Sequence, residues 1–182
     1  RPASSEIGNV SLIRYTCRGC GRTEPLETSA WRCPCGGYFS LDVSSRLDPA
    51  KLEGRPPGPW RYREAIPLPA DVPPVTLGES STPLVAVALD GGRPHLKLDY
   101  LFPTGSYKDR GATVLVSLLR FLGVKAVVED SSGNAGSALA AYCAAASIAC
   151  DIYAPATASA GKLLQIRAYG AAVHRIPGSR ED

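Results

Sequence analysis

Between Asp109 and Ile176 the sequence alternates, without a break, between helical and strand-like patterning. Asp109–Leu122 carries apolar residues at helical spacing (Val114, Leu118, Leu119, Leu122) and is stopped by Gly123. Ala126-Val127-Val128 reads as a short buried strand, and Asn134–Ser147 as an alanine-rich helix. A strand over Ile148–Ala154, a helix over Ser159–Tyr169 stopped by Gly170, and a strand over Ala172–Ile176 complete the series. Strands exchanging with helices in this order predict parallel pairing with right-handed helical crossovers, so the fold class is α/β with a parallel β-α-β sheet. Upstream, Val85–Leu89 and His95–Leu98 flank Asp90-Gly91-Gly92 and predict a hairpin. The chain closes on Gly178-Ser179-Arg180-Glu181-Asp182, in the loop after a strand, where a doubly wound sheet would continue. The expected domain is therefore partial, its C-terminal half absent, as in a fragment, a nicked chain or a truncated gene product.

Composition divides the remainder. Residues 12–43 form a turn-rich, cysteine-punctuated module, and residues 44–83 a proline-rich linker. Residues 84–182 hold the N-terminal part of the α/β domain, and Arg61, Arg63 and Glu64 are placed on a short helix within the linker. No repeat of 20–50 residues is present. With 45% hydrophobic and 20% charged residues, the chain is globular rather than disordered. A net charge of +3 over 182 residues does not by itself imply a nucleic-acid or membrane partner. The most apolar stretch, Ser137–Cys150, is mostly alanine and reads as a packed helix plus strand, not a membrane span. Arg1-Pro2-Ala3-Ser4-Ser5-Glu6 has no apolar signal core, which makes the cytoplasm the expected compartment. Methionine is absent altogether, so residue 1 need not be the natural start.

Cys17-Arg-Gly-Cys20-Gly21 and Cys33-Pro-Cys35-Gly36-Gly37 are two tight turns separated by twelve residues. Zinc takes four soft ligands in a tetrahedron, and two cysteine turns supply them, so Cys17, Cys20, Cys33 and Cys35 are the expected metal ligands. Iron suits the same thiolates, and the Cys-x-Cys spacing of the second pair departs from the usual Cys-x-x-Cys. The glycines after Cys20 and Cys35 are expected to let backbone amides approach the sulfurs. Four thiolates leave no open position for water, so such a zinc is structural. The mixed charges of this module (Arg14, Arg18, Arg22 and Arg32 against Glu24, Glu27 and Asp42) leave nucleic-acid binding unsupported. Cys143 and Cys150, in apolar surroundings, are assigned to core packing, and His95 and His174 to strands.

Two further segments carry chemistry. Pro103-Thr104-Gly105-Ser106-Tyr107-Lys108-Asp109-Arg110-Gly111 joins a strand to a helix, with Thr104 or Ser106 as the expected cap. Lys108 then stands at the positive end of a helix dipole, which favours the neutral amine that attacks an aldehyde. From position alone, a solvated lysine in a polar loop is the simpler reading. Glu129-Asp130-Ser131-Ser132-Gly133-Asn134-Ala135-Gly136 opens the next helix with hydroxyls and amides that suit an anion. It lacks the leading Gly-x-Gly of dinucleotide loops, and Gly161-Lys162-Leu163 lacks the rest of a P-loop.

Together, Pro-Thr-Gly-Ser-Tyr-Lys-Asp-Arg-Gly and Ser-Ser-Gly-Asn-Ala-Gly resemble the pyridoxal-phosphate enzymes of the tryptophan-synthase-β fold, and within them the threonine synthases. A cysteine ribbon ahead of the lysine string is similar to that of a subset of threonine synthases. Ser81-Thr82-Pro83-Leu84, Ala158-Ser159, Lys162, Gln165 and Tyr169-Gly170-Ala171 extend the resemblance, which covers residues 14–43 and 76–180. It implies that Lys108 carries the Schiff base to pyridoxal 5′-phosphate and moves protons afterwards. It implies that Asn134 hydrogen-bonds the cofactor's 3′-hydroxyl and that Tyr107, where the family has phenylalanine, packs by the ring. Ser131, Ser132, Gly133 and Ala135 are implied to hold the substrate carboxylate. The implied reaction turns O-phospho-L-homoserine and water into L-threonine and phosphate, in a full-length homodimer acting on a small amino-acid substrate. The family's phosphate-binding loop would lie beyond Asp182, so the isolated piece is expected to be inactive. Phe102, in place of an asparagine before Pro-Thr-Gly-Ser, and Ser80, in place of a glycine, depart from the family pattern. Threonine dehydratase, cysteate synthase and cysteine synthase share the lysine and asparagine elements and stay open. So does a zinc-ribbon binding module fused to a non-catalytic α/β domain.

Overall fold

A computed structural model describes residues 13–41 and 47–178. The expected outer limits of the cysteine module, at residues 12, 42 and 43, and the closing Ser179–Asp182 lie outside the described residues. The described residues divide into two compact units, one of residues 13–41, 47–55 and 62–72, the other of residues 56–61 and 73–178.

In the first unit, strands β1 (Arg14–Cys17), β2 (Thr23–Pro25) and β3 (Phe39–Leu41) form an antiparallel sheet in the order β2-β1-β3. Tyr15 faces Glu24 on one side and Leu41 on the other. Each turn of this sheet is held by cysteine-adjacent backbone bonds, the Gly21 amide to the Cys17 carbonyl (2.9 Å) and the Gly36 amide to the Cys33 carbonyl (2.8 Å). Farther along, the Arg63 guanidinium donates to the carbonyls of Pro69 and Val72 (2.5 and 3.0 Å). It thereby fixes a proline-rich backbone that has few amide donors of its own.

The second unit begins its regular structure with the hairpin strands β4 (Leu84–Ala86) and β5 (His95–Lys97), which pair antiparallel as the Asp90-Gly91-Gly92 turn predicts. Helix α1 (Asp109–Phe121) leads into β6 (Ala126–Glu129), α2 (Asn134–Ala146), β7 (Ala149–Pro155), α3 (Ala160–Ala168) and β8 (Ala172–Ile176). Strands β6, β7 and β8 are parallel and adjacent in that order, so the expected α/β class and parallel sheet are what the chain adopts. From α1 onward, expected and observed element limits differ by a residue or so at each end, whereas β4 ends at Ala86, three residues before the expected Leu89.

The α1 stop uses Gly123 in the left-handed region (φ +73°), with the Val124 amide returning to the Leu119 carbonyl at 2.9 Å. Helix α2 stops without a glycine. Ser147 itself takes the left-handed conformation (φ 56°), and the Ile148 amide closes on the Cys143 carbonyl (2.9 Å). The core gathers Val116, Ala138, Tyr142, Cys143, Ile152, Leu163 and Ile166, all essentially free of solvent. Cys143 and Cys150 lie within it, as their apolar surroundings suggest.

The inward face of α1 differs from the one its apolar spacing marks. Thr113 and Ser117 are fully buried, while Val114 and Leu122 are only half-buried. Polar residues take the inner face because they have partners there. The Thr113 hydroxyl donates to the Val75 carbonyl (2.6 Å) and accepts from the Trp60 indole (2.8 Å). The Ser117 hydroxyl accepts from the Val75 amide (2.7 Å). The proline-rich stretch thus packs part of itself on α1, and Arg120 secures it further through the Pro73 carbonyl (2.9 Å).

Candidate functional site

Parallel sheets place ligands at the carboxyl ends of their strands, where the loops to the following helices open. Here a cavity of about 680 Å³ lies at that edge. It is bounded by Glu129 at the end of β6, Ala154 and Pro155 at the end of β7, and Ile176 at the end of β8. Lys108 borders the same cavity, as do Ser131, Ser132, Gly133 and Ala135. The volume is in the usual range for a small organic ligand.

Lys108 reaches this place because it is the residue before the first turn of α1, with helical backbone angles (φ −61°, ψ −24°). The loop before it is built around a buried carboxylate rather than a hydroxyl cap. Asp109, fully buried, accepts from the Thr104 amide (2.8 Å) and from the Thr104 hydroxyl. Burial raises the Asp109 pKa in spite of these bonds, and the neighbouring Glu79 adds to the rise. Ser106 accepts from the Lys108 amide at 3.3 Å. Thr104, expected as a cap, is therefore the donor in its main interaction, and Ser106 receives the amide.

The loop opening α2 is closed by one hydroxyl. Ser131 Oγ accepts from the amides of Gly133 (3.4 Å) and Gly136 (3.0 Å), so the cap comes from two residues before the N-terminal Gly133. Gly136 has no room for a side chain, since a Cβ there would lie 2.7 Å from the Ser131 carbonyl oxygen. Asn134 and Tyr107 are exposed and are not among the residues lining the cavity. The Tyr107 ring instead receives the Lys108 ammonium, 5.0 Å from its centroid.

Sequence reasoning gave no role to Glu129, Asp130, Tyr153 or Ile176, yet all four border the cavity. The available signal was the pair of carboxyl groups at the end of a predicted strand. Tyr153 and Ile176 had none, because only the register Tyr153↔His174 and Pro155↔Ile176 sets them on the same rim.

In the first unit, the sulfurs of Cys17, Cys20, Cys33 and Cys35 all lie within 4.8 Å of one another. Cys17 and Cys35 are 3.5 Å apart and Cys20 and Cys33 are 3.6 Å apart. A tetrahedron with metal–sulfur bonds of about 2.3 Å has edges of about 3.8 Å, so the four thiols have the spacing of a ligand set. The glycines beside the sulfurs are not the expected ones. Amides of Gly19 and Gly37 donate to Cys17 (3.3 Å) and Cys35 (3.4 Å), and a Cβ on Gly37 would fall 2.7 Å from the Cys17 sulfur. Gly21 and Gly36 serve the turns through positive φ (+74° and +84°) and have open space around them. Burial opposes ionisation of Cys17, but the amides of Cys20 and Gly19 together with the thiols of Cys35 and Cys33 outweigh it and bring its pKa down to about 6.

Residues 75–182 match the sequence pattern of the family described as pyridoxal-phosphate dependent enzymes. The chain belongs to that family. It is 34% identical over 177 residues to threonine synthase of Methanocaldococcus jannaschii, covering 91% of this chain and 44% of that protein. It is 40% identical over 134 residues to threonine synthase of Mycobacterium tuberculosis, covering 68% of this chain and 37% of that protein. A hydrogen sulfide-producing enzyme from Fusobacterium nucleatum superposes with a TM-score of 0.52 at 32% identity, over 55% of this chain and 35% of the other. The chain thus spans less than half the length of these relatives.

The residues present fit the cofactor for which the family is named. Lys108, Ser131, Ser132, and Gly133 and Ala135 at the start of a 13-residue helix border one cavity large enough for a phosphorylated pyridine aldehyde. None of the described helices is long and apolar enough to cross a membrane.

Proposed function

We propose that this chain is the cofactor-anchoring part of a threonine synthase, a lyase that converts O-phospho-L-homoserine and water to L-threonine and phosphate. The observation that carries the reading is Lys108 bordering one cavity with the serine loop that opens α2. Similarity to threonine synthases of two organisms supports the substrate class. Bound in that cavity, pyridoxal phosphate supplies an electron sink for a carbanion on the amino acid.

The chain's own residues supply the rest. Lys108 holds the aldehyde through its amine, then moves protons at the substrate's Cα and Cβ. Ser131, Ser132, Gly133 and Ala135 hold the substrate carboxylate, because amides and hydroxyls at a helix start favour an anion. The roles the resemblance implies, Asn134 toward the cofactor's ring hydroxyl and Tyr107 toward its ring, would require both side chains to turn into the cavity, since neither lines it. In the first unit, Cys17, Cys20, Cys33 and Cys35 hold a structural zinc. The full-length protein is a cytoplasmic homodimer that acts on a small amino acid and requires neither membrane nor nucleic acid.

Borohydride treatment of protein loaded with pyridoxal phosphate, followed by peptide mass mapping, tests the anchor. The reduced adduct is expected on Lys108 and absent in Lys108→Ala. An adduct elsewhere, or none, ends the reading. Phosphate release from O-phosphohomoserine by the full-length protein tests the substrate, and ammonia release from threonine instead would assign it to the dehydratases.

A further inference from the structure

Glu129 and Lys108 are the two titratable residues that border both the 680 Å³ cavity and a second one of about 600 Å³. The second is walled mainly by apolar side chains of α1, β6 and α2, among them Leu115, Val127 and Leu139. Glu129 is half-buried, and its Oε2 has neither solvent exposure nor a hydrogen-bond partner among the described residues. A carboxylate oxygen without water or donors is costly, and such an atom beside a ligand cavity calls for a partner.

The charged and titratable groups facing it come from several elements. Asp130 follows it in the chain and repels it, and Lys108 at the start of α1 attracts it. The thiols of Cys143 on α2 and Cys150 on β7 feel its charge but carry no positive charge to offset it. Lys108 alone offers both a positive charge and spare N–H donors. Burial foremost, then Asp130, makes Glu129 a better proton acceptor than an ordinary carboxylate, while Lys108 works the other way.

We propose that Glu129 is the positioning and proton-holding partner of Lys108. Its buried oxygen, which no donor among the described residues reaches while the amine lies over the Tyr107 ring, takes the ammonium's proton when the amine turns in to attack the aldehyde. In the transfer an N–H bond of the ammonium breaks and an O–H bond forms on Glu129. The lysine lone pair is released, and opposite charges give a neutral amine and a neutral acid. That neutral pair suits a wall that is apolar on its second side. The reverse transfer restores both charges when the amine is set free. The inference rests on Lys108 being the anchor proposed above.

The test is the rate at which the full chain, freed of cofactor, captures added pyridoxal phosphate, followed by visible absorbance across pH. Glu129→Gln is expected to capture on the order of 100-fold more slowly near neutrality, the size typical of a lost acid–base group. The deficit is expected to shrink as pH rises, because hydroxide then removes the amine's proton without help. Capture equal to wild type near neutrality overturns the proposal. So does a slowdown of the same factor at every pH, which is the mark of a merely structural role. Should Glu129→Gln fail to fold, Lys108→Met gives a second measure through the infrared carboxyl band of isotope-labelled glutamate. Removing the cation is expected to raise the pH at which Glu129 titrates, and an unchanged midpoint overturns the pairing. If wild type captures no aldehyde, the anchor reading fails. The Lys108→Met titration then still decides whether the two side chains are coupled.

Discussion

Gly111 and Gly136 occupy the same third position of two 13-residue helices, and replacing each by alanine separates two opposing effects. Alanine in place of a helical glycine gains about 0.5–1 kcal/mol through lost backbone freedom in the unfolded chain. At Gly111 nothing lies within 4 Å of the new Cβ, so Gly111→Ala keeps that gain. At Gly136 the Cβ would meet the Ser131 carbonyl oxygen at 2.7 Å, and Ile166 Cδ1 and Ser131 Cβ at 3.3 Å. The first contact is backbone and cannot swing aside, and overpacking of this kind costs about 1–3 kcal/mol. The two variants should therefore differ by about 1–3 kcal/mol, with Gly111→Ala above wild type and Gly136→Ala at or below it. For a chain of this size each kcal/mol shifts Tm by about 2–4 °C. Urea unfolding with unchanged m values reads the difference directly. The displaced Ser131 also caps α2, so Gly136→Ala should in addition bind pyridoxal phosphate more weakly. Equal stabilisation by both alanines would refute the close approach and with it the account of the loop.

The proposed structural zinc predicts one zinc per chain by elemental analysis, falling to near zero in Cys33→Ser with loss of the β1–β3 signal in the amide spectrum. A structural zinc of this type contributes about 10–16 kcal/mol of binding, more than so small a sheet can replace. Arg55 holds the Glu64 carboxyl down to about 2 through two hydrogen bonds of 2.7 and 2.6 Å. The stability from this pair is present above the ordinary value of 4.5 and fades as pH falls toward about 2. Arg55→Ala should return the Glu64 NMR titration toward 4.5, and an unmoved midpoint would refute the pairing. Tyr142→Phe removes the donor 3.1 Å from Glu79 Oε2, which keeps Thr76 and the Leu77 amide. Its cost should be about 1 kcal/mol in urea unfolding, and no change would mean that the buried hydroxyl contributes nothing.

The parallel sheet was legible because its helices and strands each carry their own periodicity and stop signals. Gly123 ends α1 and Gly170 follows α3, where the sequence alone places them. The convergence of Cys17, Cys20, Cys33 and Cys35 was legible from spacing. What spacing leaves out is which neighbour serves which purpose. Gly19 and Gly37 approach the sulfurs, while Gly21 and Gly36 turn the chain, a distinction that depends on three-dimensional closure. The inner face of α1 was misread for a related reason. Hydropathy scores Thr113 and Ser117 as outward, but a proline-rich backbone supplies partners that make them good core residues. Glu129 was visible in the motif, and its significance depends on an oxygen deprived of solvent, which no one-dimensional pattern reports.

Lys108, Glu129 and the serine loop all fall within a single run of 28 residues, from 108 to 135. The reactive corner is thus encoded by neighbours along the polypeptide, and only the far rim at Pro155 and Ile176 needs distant pairing. Short-range contacts form early, so this corner can take shape while the rest of the sheet is still assembling. Diversification of chemistry among such proteins would then fall on the later-added rim, leaving the segment from α1 through β6 to the start of α2 as a transferable unit.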